Sequence, residues 1–469
     1  MVLDQIQLAD GVSRVEIAQH TGLTPQTVSG IVRRLIDEGI VHEDGARSSS
    51  GGKPRTVLRI NADAGRAVGL HFDPVELAAV VVDLLGRPLV TARRPTPRPA
   101  DPAVVTAAMA ELVDEVLREA GVERDRVLGL GLAAPGPIDQ HVGMVISPPQ
   151  LANWTRVPIK EMLATATGLD VTLDNDATAA AVGERWAGAG RGVANFAYFH
   201  LGTGVGGGLV LGHQVFRGGS MNAAEFGHTT AADDGPGCYC GNRGCLESLV
   251  NPPAIVAAAH RLLAASPAGA AAVAGASLAA ASVAGPPLTA ASVAGPSPVA
   301  GASLAAASVG GASPVGRAAP VAAAVVEPAV AGAPEPAVAG VPESSLAAAF
   351  RADPSTVDHP AICLAAAAGD PLAVSVIDTA AEHLATVVVN VVNIIDVDLV
   401  ILGGHGIRHV EDRFRDAVVR ALATRPLARQ IRVVDVALSP LGVDAAVVGG
   451  AALVLHATFS PQVSALLSE

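Results

Sequence analysis

Aromatic side chains are scarce in this chain, at 3% of 469 residues. Lysine occurs only at positions 53 and 160. Four cysteines are too few for a disulfide scaffold in a chain of this length. Positive charge is also short. Lys and Arg total 31 against 44 Asp and Glu, a formal net charge of −13. That balance excludes a chain that is basic throughout and coats nucleic acid non-specifically. No run of about 18 strongly apolar residues is present, as a membrane-spanning helix requires. The richest stretch, Val387–Leu402, is broken by Asn390, Asn393, Asp396 and Asp398. The positive mean hydropathy of +0.43 is carried by Ala and Val. No basic segment followed by an apolar core and a cleavage site opens the sequence, so a cytoplasmic protein without membrane partners is expected.

Glycine and proline, at 50 and 33 residues, exceed ordinary usage. Much of the excess lies in residues 264–345, which hold eleven prolines, one basic residue (Arg317) and no aromatic residue. Ala276–Gly285 returns nearly intact at Ala302–Gly311. Prolines at that density block helices and strands, and small side chains do not offset ordering entropy. The segment is expected to be a low-complexity disordered insertion. The rest divides into a short module (1–60) and an α/β body (66–263 and 346–469). In the body, apolar runs predict strands near Ala67–Phe72, Leu77–Asp83, Pro88–Arg94, Val127–Leu132 and Leu399–Leu402. They also predict helices at Pro102–Ala120 and near Pro371–Asn393. Three strands, a helix and further alternation imply a mixed sheet.

In the first module, Ser13-Arg-Val-Glu16 is a capping box that starts a short helix ending at Thr21-Gly22. Thr24-Pro25 opens a second helix, with Val28, Ile31, Val32, Leu35 and Ile36 as its apolar stripe. This is a helix-turn-helix. The DNA-contacting candidates are Thr24, Gln26, Thr27, Ser29 and Arg33 on the second helix. Residues 45–60 carry Arg47, Lys53, Arg55 and Arg59 with no acidic residue, which predicts a hairpin wing with a basic tip. Lys53 and Arg55 there are placed to meet phosphates. Proteins of this kind pair two reading helices on neighbouring major grooves, so a homodimer or a dimer of dimers is expected.

The sharpest motif is His228 followed by Cys238-Tyr-Cys240-Gly-Asn-Arg-Gly-Cys245. One imidazole and three thiolates, drawn together by a glycine turn, form a four-ligand set for structural Zn²⁺. Nearby in sequence stand Asp174-Asn175-Asp176, Glu225 and Glu247, acids and an amide able to bond several sugar hydroxyls. Asp176 is suited to act as general base on one of them. Leu201-Gly202-Thr203-Gly204 and Ile401–Gly404 are glycine turns that either cradle phosphates or simply join strands.

This constellation resembles the ROK family (repressors, open reading frames and sugar kinases). The matching segments are Gly129–Asp139, Asp174–Glu184, Leu201–Leu209, Glu225–His228, Cys238–Glu247 and Leu399–Gly404. The resemblance implies a two-lobed, actin-like sugar kinase fold behind a winged helix-turn-helix. It places Asn175, Asp176, Glu225, His228 and Glu247 in the sugar pocket, with Asp176 as the catalytic base if the chain is a kinase. His228 would touch both sugar and zinc. One departure stands out. Family kinases end their first strand in Asp-x-Gly-Gly-Thr, which holds ATP phosphates. Here Gly69-Leu-His71-Phe-Asp73-Pro74-Val75 replaces the aspartate by His71, the glycine pair by Asp73-Pro74 and the threonine by Val75. Pro74 removes an amide donor and Asp73 brings a negative charge. Gly202, Thr203 and Gly204 are then a vestigial phosphate loop, and ATP is not expected as a cofactor. The expected function is a sugar-responsive regulator, a repressor, that binds operator DNA and takes a sugar or sugar phosphate as effector. The alternatives are an active ATP-dependent sugar kinase with an appended DNA-binding module, or a regulator answering to a protein partner.

Overall fold

The computed structural model describes residues 2–9, 11–49, 52–151, 153–265 and 344–459. Nearly all of the expected insertion, including its repeats, lies outside the described residues. At its edges the structure moves the boundary inwards, because one helix runs to Ala265 and the next is capped by Ser344.

Three helices open the chain: α1 (Val2–Leu8), α2 (Arg14–Thr21) and α3 (Pro25–Asp37). Ser13 and Glu16 complete the capping box, and Gly22 ends α2 in the left-handed region at φ 70°. Thr24 caps α3 with Pro25 in its first turn. Val28 and Val32 are fully buried, but Ile31 faces solvent and Leu35 and Ile36 are half-buried. The apolar stripe is therefore narrower than the spacing predicts, because two short helices leave a shallow groove to fill. The wing is longer than expected. Strands β1 (Val41–Ser49) and β2 (Gly52–Ile60) pair antiparallel through Arg47↔Arg55, so both sides of the basic segment are strand. Val12 adds a backbone bridge to Leu58. The side chain of Lys53 lies outside the described residues.

The body repeats one sheet pattern twice. The first sheet contains β3 (Arg66–Phe72), β4 (Glu76–Val82), β5 (Pro88–Pro95), β6 (Val127–Ala134) and β9 (Val171–Asn175), in the order β5-β4-β3-β6-β9. A small hairpin, β7 (Ile138–Asp139) and β8 (Met144–Val145), follows β6. The second sheet contains β10 (Phe196–Leu201), β11 (Val205–Leu211), β12 (Gln214–Val215), β13 (Leu399–Gly403) and β14 (Asp435–Leu438), in the order β12-β11-β10-β13-β14. In each sheet three antiparallel strands are joined by two parallel ones.

The remaining helices are α4 (Pro102–Glu119), α5 (Ile159–Thr167), α6 (Asp176–Ala187), α7 (Glu247–Val250), α8 (Pro252–Ala265), α9 (Ser345–Ala352), α10 (His359–Ala367), α11 (Pro371–Ile395), α12 (Glu411–Thr424) and α13 (Ala445–Phe459). Strand alternation explains their packing. Val68, Leu70 and Phe72 project to the face covered by Met109, Leu112 and Val113 of α4. Gly69 and Gly131 sit on the other face, where α13 comes into backbone contact. A Cβ on Gly131 would lie 1.8 Å from the Gly450 carbonyl oxygen. In the second sheet Phe199 and Leu201 face the cluster that holds α11 and α12. Phe196 and Tyr198 face the cluster that holds α6 and α13. The α6–α13 pair thus lies between the two sheets. Contrary to the expectation from sequence, two helices, Pro371–Ile395 and Gly442–Phe459, are by length and composition apolar enough to cross a membrane. More than half of each is buried in this core, which is the position of core helices in a folded body.

Candidate functional site

The two sheets flank a cavity of about 820 Å³. Its first wall comes from the turn between β9 and α6. Asn175 caps α6, its Oδ1 accepting from the amides of Ala177 (2.9 Å) and Thr178 (3.2 Å). Asp176 is the first residue of the helix and accepts from Ala177 N at 2.7 Å. Both line the cavity. Burial raises the Asp176 carboxyl to about 7, reinforced by the carboxylates of Asp73 and Glu225 and opposed by the Ala177 amide. Such a carboxyl is poised to take or return a proton near neutral pH. Asp174 is different. It is buried and paired with Arg217 at 2.8 Å and with Gln140, so it braces the wall instead of facing a ligand.

The second wall comes from the loops after β11 and β12. Glu247 opens α7, and its Oε2 accepts from Val205 N at 2.9 Å. Glu225 lies in the loop before His228 and is open to the cavity. Asn222 bridges the walls. Its Oδ1 accepts from Ile138 N at 3.0 Å and its Nδ2 donates to Ile138 O at 3.0 Å. The structure therefore brings Asn175, Asp176, Glu225, His228 and Glu247 to one cavity. Asn222 and Tyr239 also line it, while Arg217 and Gln140 brace it through Asp174; sequence spacing did not reveal these four, since no motif marks a residue that supports a loop from across a cleft.

The metal candidates converge as expected. The ligand atoms of His228, Cys238, Cys240 and Cys245 all lie within 4.8 Å of one another. Cys238 Sγ is 3.6 Å from His228 Nδ1, and Cys240 Sγ is 3.7 Å from Cys245 Sγ. Tetrahedral Zn²⁺ with its usual bond lengths separates its ligands by roughly 3.5–3.8 Å, so the donor set fits that ion. The other ring nitrogen, Nε2, is held by the Tyr239 hydroxyl at 3.0 Å. His228 thus joins the cysteine loop to the cavity, through Tyr239 as well as directly.

Another part of the cavity lining comes from β3 and β4, which turn tightly through Asp73-Pro74-Val75-Glu76. The Asp73 Oδ1 accepts from Val75 N (2.6 Å) and Glu76 N (2.7 Å). The chain's own carboxylate thus occupies the amides of this turn. His71 is buried, and its Nε2 has no partner among the described residues. Burial lowers His71 to about 4 and His200 to about 3, so both rings are neutral at neutral pH. Gly202, Thr203 and Gly204 form the hairpin turn from β10 to β11, where Leu201 pairs with Val205. Thr203 Oγ1 also has no partner among the described residues. Gly404 does not line the cavity; its φ of 105° lets it pack on Leu201, whose carbonyl oxygen a Cβ would approach to 2.2 Å. Four carboxylates and three imidazoles line the cavity, with no Lys or Arg among the described residues.

Comparison with known proteins decides the family. The sequence profile of the ROK family matches residues 68–293 and 339–457. The chain belongs to the ROK family. A profile described as winged helix-turn-helix DNA-binding matches residues 1–42. A putative xylose repressor from a Caldicellulosiruptor species is 31% identical over 245 residues, covering 52% of this chain and 61% of that protein. A glucokinase from Streptomyces coelicolor is 36% identical over 203 residues, covering 43% of this chain and 62% of the other. The chain thus spans about three fifths of the length of these curated relatives. Among solved structures, a ROK family glucokinase from Streptomyces griseus in complex with glucose and AMPPNP superposes with TM-score 0.60 at 25% identity, covering 83% of this chain and 99% of that one. A ROK family transcriptional regulator, described as a homolog of E. coli MLC protein, superposes with TM-score 0.66 at 22% identity and 97% coverage of both chains. That last likeness establishes the fold.

On the reading module, Thr24, Gln26, Thr27, Arg33 and Arg55 are exposed and Ser29 is half-buried. Thr24 and Thr27 are partly occupied with each other, as Thr24 Oγ1 accepts from Thr27 N at 3.2 Å and lies 2.9 Å from Thr27 Oγ1. Arg55 lies 4.0 Å from Glu16.

Proposed function

We propose that this ROK protein is a sugar-responsive transcriptional regulator, a repressor, whose kinase-like body senses an effector and does not phosphorylate it. The observation that carries this reading is the self-occupied hairpin: Asp73 caps the Val75 and Glu76 amides while a winged helix-turn-helix precedes the body. The relatives named as xylose repressors support the same direction. The effector is an uncharged sugar. Carboxylates and an amide line the cavity, and among the described residues no Lys or Arg lines it to give a phosphate ester a countercharge. Asn175, Asp176, Glu225, His228 and Glu247 bond its hydroxyls. His228, Cys238, Cys240 and Cys245 hold a structural Zn²⁺, which supplies folding energy to the loop that carries Tyr239 and leads into Glu247. Thr24, Gln26, Thr27, Ser29 and Arg33 face the operator, with Lys53 and Arg55 against its backbone. The working form is a cytoplasmic homodimer or a dimer of dimers. Sugar acts only through a difference in affinity between two states of the protein.

One observation favours the kinase alternative: Asp176 is in place, with its carboxyl raised to about 7. A coupled ADP-release assay over a panel of pentoses and hexoses separates the two. The regulator reading predicts no release above background with any sugar. Sustained turnover with one sugar establishes the kinase.

A further inference from the structure

α6 connects two places that the fold otherwise keeps apart. Its first residue is Asp176, at the sugar wall, and its cap is Asn175. Twelve residues at 1.5 Å each carry it about 18 Å to its far end. Every residue from Ala177 to Trp186 is buried. Its backbone is clamped on two sides. A Cβ on Gly449 of α13 would lie 2.1 Å from the Ala179 carbonyl oxygen, and one on Gly208 of β11 would lie 2.8 Å from that of Ala177. The near end of α6 is thus packed against β11 and α13, and close-packed interiors transmit strain along the elements they hold.

The last turn is tied to the reading module. Carbonyls at a helix end need partners from outside the helix. The Trp186 carbonyl accepts from Gln7 Nε2 of α1 at 2.7 Å, in a buried bond. The backbone carbonyl of Gln7 in turn accepts from the Arg191 guanidinium just past α6. Trp186 Nε1 donates to Leu84 O at 3.2 Å, which fixes the indole against the first sheet. Val2, Leu3 and Ile6 of α1 share one apolar cluster with Trp186, with Ile17 of α2, and with Val28 and Val32 of α3. The helix expected to read DNA therefore rests, through α1, on the far end of the helix whose near end lines the sugar cavity.

We infer that Gln7 and Trp186 are positioning residues, which convey the state of the sugar site to the DNA-reading module through α6. The ligand's identity rests on the effector reading above; the mechanical link does not. Sugar that engages Asn175 and Asp176 shifts the start of α6. The shift reaches α1 through the Gln7–Trp186 bond and alters the presentation of α3.

The test uses the full-length chain, D-xylose and D-glucose as probes, and a DNA duplex selected by the chain from random sequence. Coupling between two sites ordinarily changes affinity by about 5–150-fold. In Gln7→Met, which keeps the side-chain length and removes the donor, sugar and duplex should each still bind. The factor by which sugar weakens duplex binding should fall below about twofold. A Gln7→Met chain that binds both and keeps the unmodified factor overturns the inference. Arg191→Ala, on the exposed surface, is the second variant if Gln7→Met does not fold; it should lower the same factor, and an unchanged factor counts against the inference. If neither sugar affects duplex binding in the unmodified chain, the effector reading fails and hydrogen exchange decides the link. Asn175→Ala removes the cap of α6 and should speed exchange of the α1 amides by about threefold or more, but not when combined with Gln7→Met. Exchange in α1 that ignores Asn175→Ala overturns the link.

Discussion

The two ends of the cavity have been treated differently. At the end proposed to hold sugar, Asn175, Asp176, Glu225 and Glu247 present an amide and carboxylates to the cavity, braced from behind by the Asp174–Arg217 pair. At the other end, Asp73 has turned its carboxylate onto the Val75 and Glu76 amides, and His71 and His200 stand neutral beside it. At the first, Glu225 stands open to the cavity, although Asn175, Asp176 and Glu247 also accept from amides of their own chain. The other satisfies its own donors internally. The contrast teaches that an internal carboxylate satisfies the backbone amides of a turn without any change in the surrounding two-sheet architecture.

The contrast can be broken or sharpened at four points. The largest effect belongs to Cys240→Ser. If the four residues hold structural zinc as proposed, loss of one thiolate removes folding energy outright, so the melting temperature should fall by about 10 °C or more. Metal analysis should show zinc in the unmodified protein and none in the variant; equal zinc content in both would refute the ligand assignment. Next is Glu247→Ala, which removes a charged acceptor worth about 1.5–3 kcal/mol and should weaken sugar binding about 10–100-fold. Calorimetry measures that loss, and duplex binding without sugar should be unchanged. Asp73→Ala comes third. It frees the Val75 and Glu76 amides and should cost about 1–2 kcal/mol of stability by chemical denaturation. Mg·ATP should stabilise this variant more than the unmodified chain; equal response would deny that Asp73 blocks the loop.

The fourth effect is on pH dependence. The Asp176 carboxyl is raised to about 7 in the folded chain, while an unfolded aspartate titrates near 3.9. Between those values the folded state holds more protons, so stability falls as pH rises from about 4 to about 7. Asp176→Asn removes that loss. Its melting temperature should exceed the unmodified protein's by about 2–5 °C at pH 8 and match it at pH 4.

Much of this was legible in the sequence because local chemistry carried it. Ser13–Glu16 and Thr24-Pro25 fixed helix starts through bonds spanning three residues. The cysteine loop announced itself by spacing alone. The replaced first loop was visible as Asp73-Pro74, with its added charge and its lost amide donor. That Asp73 would cap its own hairpin required the turn geometry. What remained hidden was long-range. Asn222 reaching Ile138, Arg217 reaching Asp174 and Gln7 reaching Trp186 are contacts between segments 43–179 residues apart. Sequence periodicity describes one element's face, and says nothing of which distant carbonyl that face meets.

The central claim is that this cavity receives sugar and refuses nucleotide. Calorimetric titration of the full-length chain tests it most directly, with D-xylose and D-glucose followed by Mg·ATP. The account predicts that one of these sugars gives a saturating isotherm, and that Mg·ATP gives none with or without it. Saturable binding of Mg·ATP to the sugar-loaded protein would contradict it.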